Sequence, residues 1–224
     1  MYTSILKGSK MAKEKEKIAY NEIVRLILEN HYKPGDFLLE TELAQDLNLS
    51  RTPVRHALSQ LVAEGILDKK KKKGCVVPAV SPEDARHVFF AREHIEGLAA
   101  ASAARHAKQE DIETLKHLVH REFGGEGELS KMDYVHINRS FHLGIARFSG
   151  NKYLEQYCRH SFWRSHTYIF FFDKYYTDVT GGQETGPRQH QGIVEAMENR
   201  NEEKAGNLMR QHIRTTFEQL FVKL

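Results

Sequence analysis

The sequence has few cysteines and no long apolar run, and both shortages limit what the chain can be. It contains only two cysteines, and Cys75 and Cys158 lie too far apart to form a metal-type pair. This usage is typical of a reduced, cytoplasmic protein. The longest apolar cluster, 168–172, is far shorter than the roughly 18 residues that span a bilayer. No apolar stretch follows the N-terminal lysines, so we expect neither a secretory signal nor a membrane partner.

Motifs that mark common enzyme classes are also missing. The sequence contains no HExxH zinc motif, no glycine-rich phosphate loop and no nucleophile elbow. We therefore expect that the chain is not an enzyme. A metal-dependent enzyme is kept only as an alternative for the histidines described below.

Positive charge is concentrated in the first third of the chain. The formal net charge is only +3, but residues 1–80 hold 14 Lys and Arg against 10 Asp and Glu. The remaining residues hold 19 against 20. This uneven distribution indicates that the two parts of the chain have different partners.

Two segments of helical periodicity, separated by a tight turn, predict a helix-turn-helix motif. The first helix is predicted near Leu39 to Leu47, and the turn at 48–50. The second helix has Ser50 as its predicted cap and Pro53 in its first turn, and it ends at Gly65. Arginine on such a helix can bind guanine O6 and N7, or a phosphate. The polar face of the second helix carries Arg51, Thr52, Arg55, His56 and Gln60.

A lysine-rich hairpin is predicted directly after this motif. Ile66 and Leu67 are expected to start one strand, and 75–77 to form the returning strand. The run of lysines at 69–73 and Gly74 would then form the tip, as a wing that lies against DNA phosphates. Taken alone, the lysine run would be a solvated loop, and the neighbouring helix-turn-helix favours the wing.

The segment TELAQDLNLSRTPVRHALSQLVAEGIL, followed by KGCVV, resembles the GntR family of bacterial regulators. The resemblance covers about the first third of the chain. It implies that Ser50, Arg51 and Arg55 contact DNA, and that Lys73 and Gly74 lie at the wing tip.

The sequence departs from the family pattern at two positions. Thr41 stands where many relatives have an arginine on the first helix of the motif, so one DNA contact is expected to be missing. Lys73 replaces a frequent arginine before the wing glycine, which makes insertion into the minor groove less favourable.

Helical periodicity fills the remainder of the chain. Ser81 and Pro82 predict the start of a helix whose apolar stripe runs from Val88 through Leu98 to about His106. Further helices are predicted at 109–122, 129–149, 151–177, 185–199 and 201–222. The predicted fold is therefore mainly α, with a flexible tail over 1–12, a winged helix-turn-helix over 13–80, and an all-helical bundle of about six helices over 81–224.

Four side chains in this bundle predict a metal site. Asn138 and His142 are four residues apart, so they face the same way on one helix. His190 begins one helix and His212 lies late in the next, and the short connection makes these helices antiparallel, so the two imidazoles can face each other. Three imidazoles and an oxygen donor suit Zn²⁺, Ni²⁺ or a similar divalent ion. Ordinary surface or hydrogen-bonded histidines are the alternative.

This region is similar to the FCD ligand-binding domain of the FadR branch of GntR regulators. The shared patterns are R..IE..AA..AA at 92–104, N...H at 138–142, H..IV.A at 190–196 and A...M..HI at 205–213. The similarity implies that Asn138, His142, His190 and His212 hold a divalent metal ion. Asparagine is neutral and a weaker ligand than aspartate, which bears on occupancy and on the choice of ion.

An ion with open coordination positions would attract a small organic acid. Arg92 and Arg164 are candidates to bind its carboxylate, since arginine grips carboxylates through two hydrogen bonds. An ion pair with Glu96 is the alternative for Arg92, and a surface position is the alternative for Arg164.

The combined prediction is a homodimeric transcriptional repressor that binds double-stranded operator DNA and is controlled by a small carboxylate effector at or near the metal. The alternatives are a regulator for which the metal itself is the signal, an architectural DNA-binding protein, and a metal-dependent enzyme. The sequence leaves open the effector, the operator, the regulated genes, the sign of regulation and the identity of the metal.

Overall fold

The structure of the chain is a computed structural model that describes residues 2–71, 74–124, 129–171 and 185–221. The chain folds into two compact units, Met1–Val80 and Ser81–Leu224. Each unit buries its own apolar core. None of the helices in these ranges is long and apolar enough to cross a membrane.

The first unit is a helix-turn-helix with a small antiparallel sheet. Helices α1 and α2 both pack against α3, and the strands lie in the order β1-β3-β2. In the sheet, Phe37 pairs with Val76, and Asp68 pairs with the same residue from the other side. The elements are α1 (Tyr2–Leu28), β1 (Phe37–Leu38), α2 (Glu40–Asp46), α3 (Arg51–Glu64), β2 (Asp68–Lys70) and β3 (Gly74–Val76).

Three local expectations for this unit differ from the structure. Helix α1 begins at Tyr2, so residues 2–12, predicted as a flexible tail, are helical; leucine, lysine, methionine and alanine in this segment favour a helix even without apolar periodicity. Ser50 occupies the N-cap position of α3, but its side chain makes no capping hydrogen bond. Strand β2 begins at Asp68, because Ile66 and Leu67 are buried in the core before the hairpin.

The sheet also contains a strand that the sequence did not predict. Pro34 and Gly35 break the helical pattern, and Phe37–Leu38 follow as a strand of two residues, too short to show a period of two. Gly65 ends α3 in the left-handed conformation, with φ of 86°, as expected for a C-terminal glycine.

The second unit is the predicted helical bundle, with six helices in the part of the chain that the structure describes. Helix α4 is central and packs against α6, α7, α8 and α9. It starts as predicted, with the Ser81 hydroxyl accepting the Asp84 backbone N–H at 3.1 Å. The predicted continuation of the fourth helix over 172–177 lies outside the described residues. The helices are α4 (Pro82–His106), α5 (Gln109–Glu122), α6 (Lys131–Phe148), α7 (Lys152–Phe171), α8 (Thr185–Glu198) and α9 (Glu202–Phe221).

The buried face of α4 coincides only in part with the apolar stripe that the sequence predicted, since Ala99 and Ala103 of the stripe are buried and Leu98 is not. Leu98 is 58% exposed and Phe90 is 65% exposed, whereas Arg92 and Glu96 are almost completely buried. Alanines occur on several sides of this helix, so apolar periodicity alone does not fix which side faces inwards. The buried ion pair of Arg92 and Glu96 is tolerated because each charge has a partner.

Candidate functional site

Three histidines from three helices meet in the interior of the second unit. His142 on α6, His190 on α8 and His212 on α9 place one ring nitrogen each within 4.8 Å of the others. The Nε2 atoms of His190 and His212 are 3.2 Å apart. Two nitrogens bound to one tetrahedral zinc ion at about 2.0–2.1 Å would lie about 3.3 Å apart, so this spacing fits a shared ion. These residues are called the three-histidine cluster below.

Each Nδ1 atom of the cluster is held by a different outer partner. His142 Nδ1 lies 2.5 Å from a Glu96 carboxylate oxygen, and His190 Nδ1 lies 2.7 Å from one of Glu122. His212 Nδ1 lies 2.8 Å from the side-chain oxygen of Gln189. Such outer partners fix the orientation and the tautomer of metal-binding histidines.

These partners decide which ring nitrogens carry a lone pair. A neutral imidazole has one donor and one acceptor nitrogen, so an Nδ1 that donates to an oxygen leaves Nε2 as an acceptor. With Glu96 and Glu122 ionised, all three Nε2 atoms therefore carry lone pairs, and those of His190 and His212 face each other. The buried Nε2 of His142 has no hydrogen-bond partner among the described residues. Converging lone pairs without a donor are the arrangement that a cation stabilises.

Burial favours the neutral form of these imidazoles. The pKa of His142 is well below its usual value because of burial, with the positive charge of Arg92 adding to the effect. The pKa of His212 is lowered by burial and by the two neighbouring histidines. Burial raises the pKa of Glu96, and the adjacent Arg92 opposes that rise. Neutral rings are the form that binds metal ions.

A small polar cavity adjoins the cluster. Its volume is about 10 Å³, close to the smallest space that holds one water molecule or one ion. Asn138 is buried and lines this cavity one helical turn before His142, which places an amide beside the imidazoles. The residues around the cavity are Arg92, Tyr134, Asn138, His142, His166, Ile169, His212 and Thr216.

Arg92 reaches this cavity, but its side chain is already engaged. Its Nε donates to Glu96 at 2.5 Å, and one Nη donates to the Ser165 hydroxyl at 3.1 Å. The guanidinium also lies over the Phe162 ring, 5.0 Å from the ring centre. The predicted alternative of an ion pair with Glu96 is therefore present, in a buried form that also orients His142 through Glu96.

Arg164, the second predicted carboxylate ligand, does not line the cavity. Its Nε lies 3.5 Å from Asp84 at the start of α4, and Tyr168 donates to the same carboxylate. Residues two positions apart on a helix point in different directions. Arg164 and His166 are related in this way on α7, and it is His166 that reaches the cavity.

The predicted DNA-reading residues lie at the start of α3 and are accessible. Arg51, Thr52 and Arg55 are exposed, and Arg51 donates its Nε to Glu40 at 2.9 Å. Ser50 and Thr52 adjoin Lys15 of α1 around a surface hollow of about 310 Å³. The structure therefore brings these polar side chains to one end of the motif.

The wing contributes a second basic element. Lys69 and Lys70 are exposed on β2, and Gly74 opens β3 with φ of 92°, a conformation that favours glycine. A Cβ atom at Gly74 would also lie only 3.2 Å from the Leu38 carbonyl oxygen. The predicted tip residue Lys73 lies outside the described residues.

Comparison with known families decides the classification. Residues 15–77 match the model of bacterial regulatory proteins of the gntR family, and residues 87–215 match the FCD domain model. The chain belongs to the GntR family and carries a C-terminal FCD domain. It is therefore a DNA-binding transcriptional regulator, and the family and the mainly α fold predicted from the sequence are confirmed.

Individual relatives agree with this classification. The GntR-family chain is 27% identical over 201 residues to the HTH-type transcriptional regulator YdhC of Bacillus subtilis, covering 88% of this chain and 85% of that protein. It is 28% identical over 199 residues to the HTH-type transcriptional repressor GlaR of Escherichia coli, covering 87% and 89%. Its fold is similar to Escherichia coli McbR/YncC, with a TM-score of 0.73, 20% identity and coverage of 95% and 97%.

Several residues of the regulator's site were not predicted from its sequence. Glu122 on α5 and Gln189 on α8 hold two of the imidazoles, and no motif marked either of them. His166 was not predicted as a site residue because it lies on an aromatic-rich helix without a motif. Its ring stacks on Phe162 with 3.8 Å between the ring centres. Trp163, the only tryptophan of the chain, is buried beside His166, with 6.3 Å between the rings.

The buried imidazoles predict that the metal-free regulator loses stability as the pH falls. Burial lowers the pKa of His142, His166 and His212 in the folded protein, whereas an unfolded histidine takes up a proton below about pH 6.5. Stability is therefore full above pH 6.5 and falls as the pH approaches the folded-state pKa. Each group contributes at most about 1.4 kcal/mol per pH unit.

Urea denaturation of chelator-treated protein between pH 8 and pH 5.5 measures this effect. The raised pKa of Glu96 makes the folded protein more stable as the pH falls, which opposes the effect of the histidines. The informative comparison is therefore between wild type and a variant that also contains Glu96. His166→Gln removes one buried imidazole and should flatten the pH dependence. An unchanged slope in that variant would show that His166 is not held neutral by the fold.

Proposed function

We propose that this GntR-family regulator is a repressor whose affinity for operator DNA is controlled by a divalent ion, and by a small carboxylate, bound at the three-histidine cluster. The observation that carries the proposal is that one ring nitrogen from each of three buried histidines lies within 4.8 Å of the others, and that the Nε2 of His142 has no hydrogen-bond partner in the described part of the chain. The name of GlaR, a transcriptional repressor related over most of the chain, supports repression as the sign of regulation.

The ligands proposed for the ion are His142, His190, His212 and the side-chain oxygen of Asn138. Three imidazoles with an oxygen suit Zn²⁺ or Ni²⁺. Four protein ligands fill a tetrahedral ion, so another molecule would bind only where the ion expands its coordination beyond four or where Asn138 leaves it. The outer partners Glu96, Glu122 and Gln189 support the proposal, because they hold the rings in the orientation that binding requires.

A small organic acid would approach the ion from the side of Arg92. Arg92, Tyr134 and Thr216 line the cavity and provide polar groups for its carboxylate. Because Arg92 is bound to Glu96 and Ser165, a carboxylate would have to share or replace one of these partners. This exchange would link effector binding to the packing of α4 against α7.

A second candidate is a regulator for which the ion itself is the signal. The cavity volume of about 10 Å³ favours this candidate, since it accommodates an ion and not an organic acid without rearrangement. The two candidates differ in one measurable property. If the ion is the signal, adding Zn²⁺ or Ni²⁺ alone changes operator affinity; if a carboxylate is the signal, the loaded protein responds only when the acid is added.

Metal content tests the site directly. Purified wild-type protein should contain about one divalent ion per chain by elemental analysis, and His142→Ala with His190→Ala should contain almost none. His87→Ala, which removes an exposed histidine of α4, is the matched control and should keep the ion. A wild-type protein that stays metal-free after incubation with Zn²⁺ or Ni²⁺ would contradict the proposed site, while native mass spectrometry would still reveal any bound acid.

The DNA-binding surface is proposed to consist of Ser50, Arg51, Thr52, Arg55 and the wing, with Gly74 at its base.

Lys69→Ala with Lys70→Ala should weaken binding to all duplexes about equally and lower the log–log salt slope by roughly 0.9 for each phosphate that is no longer neutralised. The slope is measured by fluorescence anisotropy over a salt series. Lys204→Ala, an exposed lysine of α9, should leave it unchanged, and an unchanged slope in the wing variant would exclude phosphate binding by these lysines.

We also propose that the regulator is a homodimer through exposed apolar side chains of α4 and α7. Phe90 and Leu98 are exposed on α4, and Tyr153 and Tyr157, one turn apart, are 59% and 57% exposed on α7. A dimer also fits the two-fold symmetry of bacterial operators.

Charge introduced among these exposed apolar side chains should separate the two chains of the dimer. Phe90→Asp with Leu98→Asp should reduce the mass measured by light scattering from that of two chains to that of one, because a second copy would have to bury the new charges. Tyr20→Phe, in the first unit, is a control that leaves this face intact. A variant that keeps the mass of two chains would place the interface elsewhere.

A further inference from the structure

Two basic side chains on the exposed side of α3 are paired with acids from neighbouring helices. Arg51 Nε donates to Glu40 at 2.9 Å, and His56 Nδ1 lies 2.9 Å from Glu16. Arg51 and His56 were predicted from the sequence to lie on the polar face of α3, and neither acid was assigned a role. Of the two pairs, the one at Arg51 lies at the N-terminal end of α3, the end that enters the major groove in helix-turn-helix proteins.

The geometry of the Arg51 pair separates a sheltered acid from an exposed cation. The Glu40 side chain is 23% exposed, whereas the Arg51 side chain is 66% exposed. Glu40 is in the first turn of α2, and α2 packs on α3, so the carboxylate is mounted on the same rigid motif as Arg51. It binds the guanidinium through Nε, and the two terminal Nη groups are the part of Arg51 that extends furthest from the backbone.

Reading a guanine requires a guanidinium in a fixed plane. Arginine binds guanine O6 and N7 through two parallel N–H groups, and it has five such N–H groups in a rigid fork. An unrestrained arginine loses much rotamer freedom when it is ordered against a base. A carboxylate that holds Nε before DNA arrives removes part of that loss and leaves four N–H groups on Nη1 and Nη2.

We propose that Glu40 is a positioning residue for DNA recognition, which orients Arg51 so that its Nη groups read a guanine in each half of the operator. This inference rests on the proposed assignment of the α3 surface as the part that reads DNA. Stability does not explain the pair, because an ion pair with a side chain as exposed as that of Arg51 contributes little to folding.

A competing role for Glu40 makes the opposite prediction. A carboxylate close to the phosphate backbone could simply neutralise Arg51 and weaken binding to every duplex. Removal of Glu40 would then strengthen binding to all sequences by the same factor. A positioning role instead predicts a loss confined to the sequences that carry the guanine.

The experiment selects duplexes from a randomised library with the full-length wild-type protein and repeats the selection with variants. Wild type should select guanine at one position or more in each half-site, and Arg51→Ala should lose that preference. The measured quantity is the affinity for the selected duplex divided by the affinity for the same duplex with that guanine replaced. In Glu40→Ala this ratio should be roughly tenfold lower than in wild type. The affinity ratio of Glu40→Gln, which still accepts a hydrogen bond from Nε, should lie between those of Glu40→Ala and wild type. Glu42→Ala, which removes an exposed acid on the same helix, should keep the wild-type ratio.

The outcomes separate this inference from the function on which it rests. If Glu40→Ala keeps the wild-type ratio, whether or not affinity for all duplexes rises, Glu40 does not position Arg51. The same conclusion follows if Arg51→Ala keeps the guanine preference. If the wild-type protein selects no sequence at all, that result contradicts the proposed DNA-reading surface and not the role of Glu40 alone. Thermal unfolding of each variant, expected to match wild type, shows that the change lies in recognition.

Discussion

The second unit of the structure depends on the charged groups that its helices bury. Arg92, Glu96 and His142 form one continuous chain of hydrogen bonds, and Glu122 holds His190 beside it. Removing charges from water is costly, and the cost is offset only where each group keeps a partner in good geometry. Helices α4, α5, α6 and α8 therefore have little freedom to slide, since a shift of one would leave a charge on another without its partner. The same requirement fixes the imidazole rings that form the candidate metal site.

Much of the fold could be predicted because short-range signals agreed with each other. Pro53 after Ser50 and Gly65 after an apolar stripe define α3, and the residues between them carry the family pattern. The facing of His190 and His212 followed from their positions at opposite ends of two helices joined by a short connection. His142 lies on a helix far away in sequence, so its spacing from Asn138 marked it only as a candidate ligand, and the resemblance to FCD domains supported its place beside the other two histidines.

The remainder depends on tertiary contacts that no local pattern encodes. Glu96 and Glu122 are separated from their histidines by 46 and 68 residues, and a glutamate on a helix is most often a solvated side chain. The exposure of Leu98 and the pairing of Arg164 with Asp84 depend on how α4 and α7 are rotated against their neighbours. The strand Phe37–Leu38 exists only because β3 offers it a partner.

The single tryptophan gives the second unit its own optical signal. Trp163 is buried one turn from the residues that line the cavity, with the His166 ring at 6.3 Å and the guanidinium of Arg139 at 5.3 Å from its own ring. Its indole N–H makes no hydrogen bond within the described residues. Intrinsic tryptophan fluorescence therefore comes from one position beside the cavity. A change in its intensity reports a change around the cavity without any attached dye.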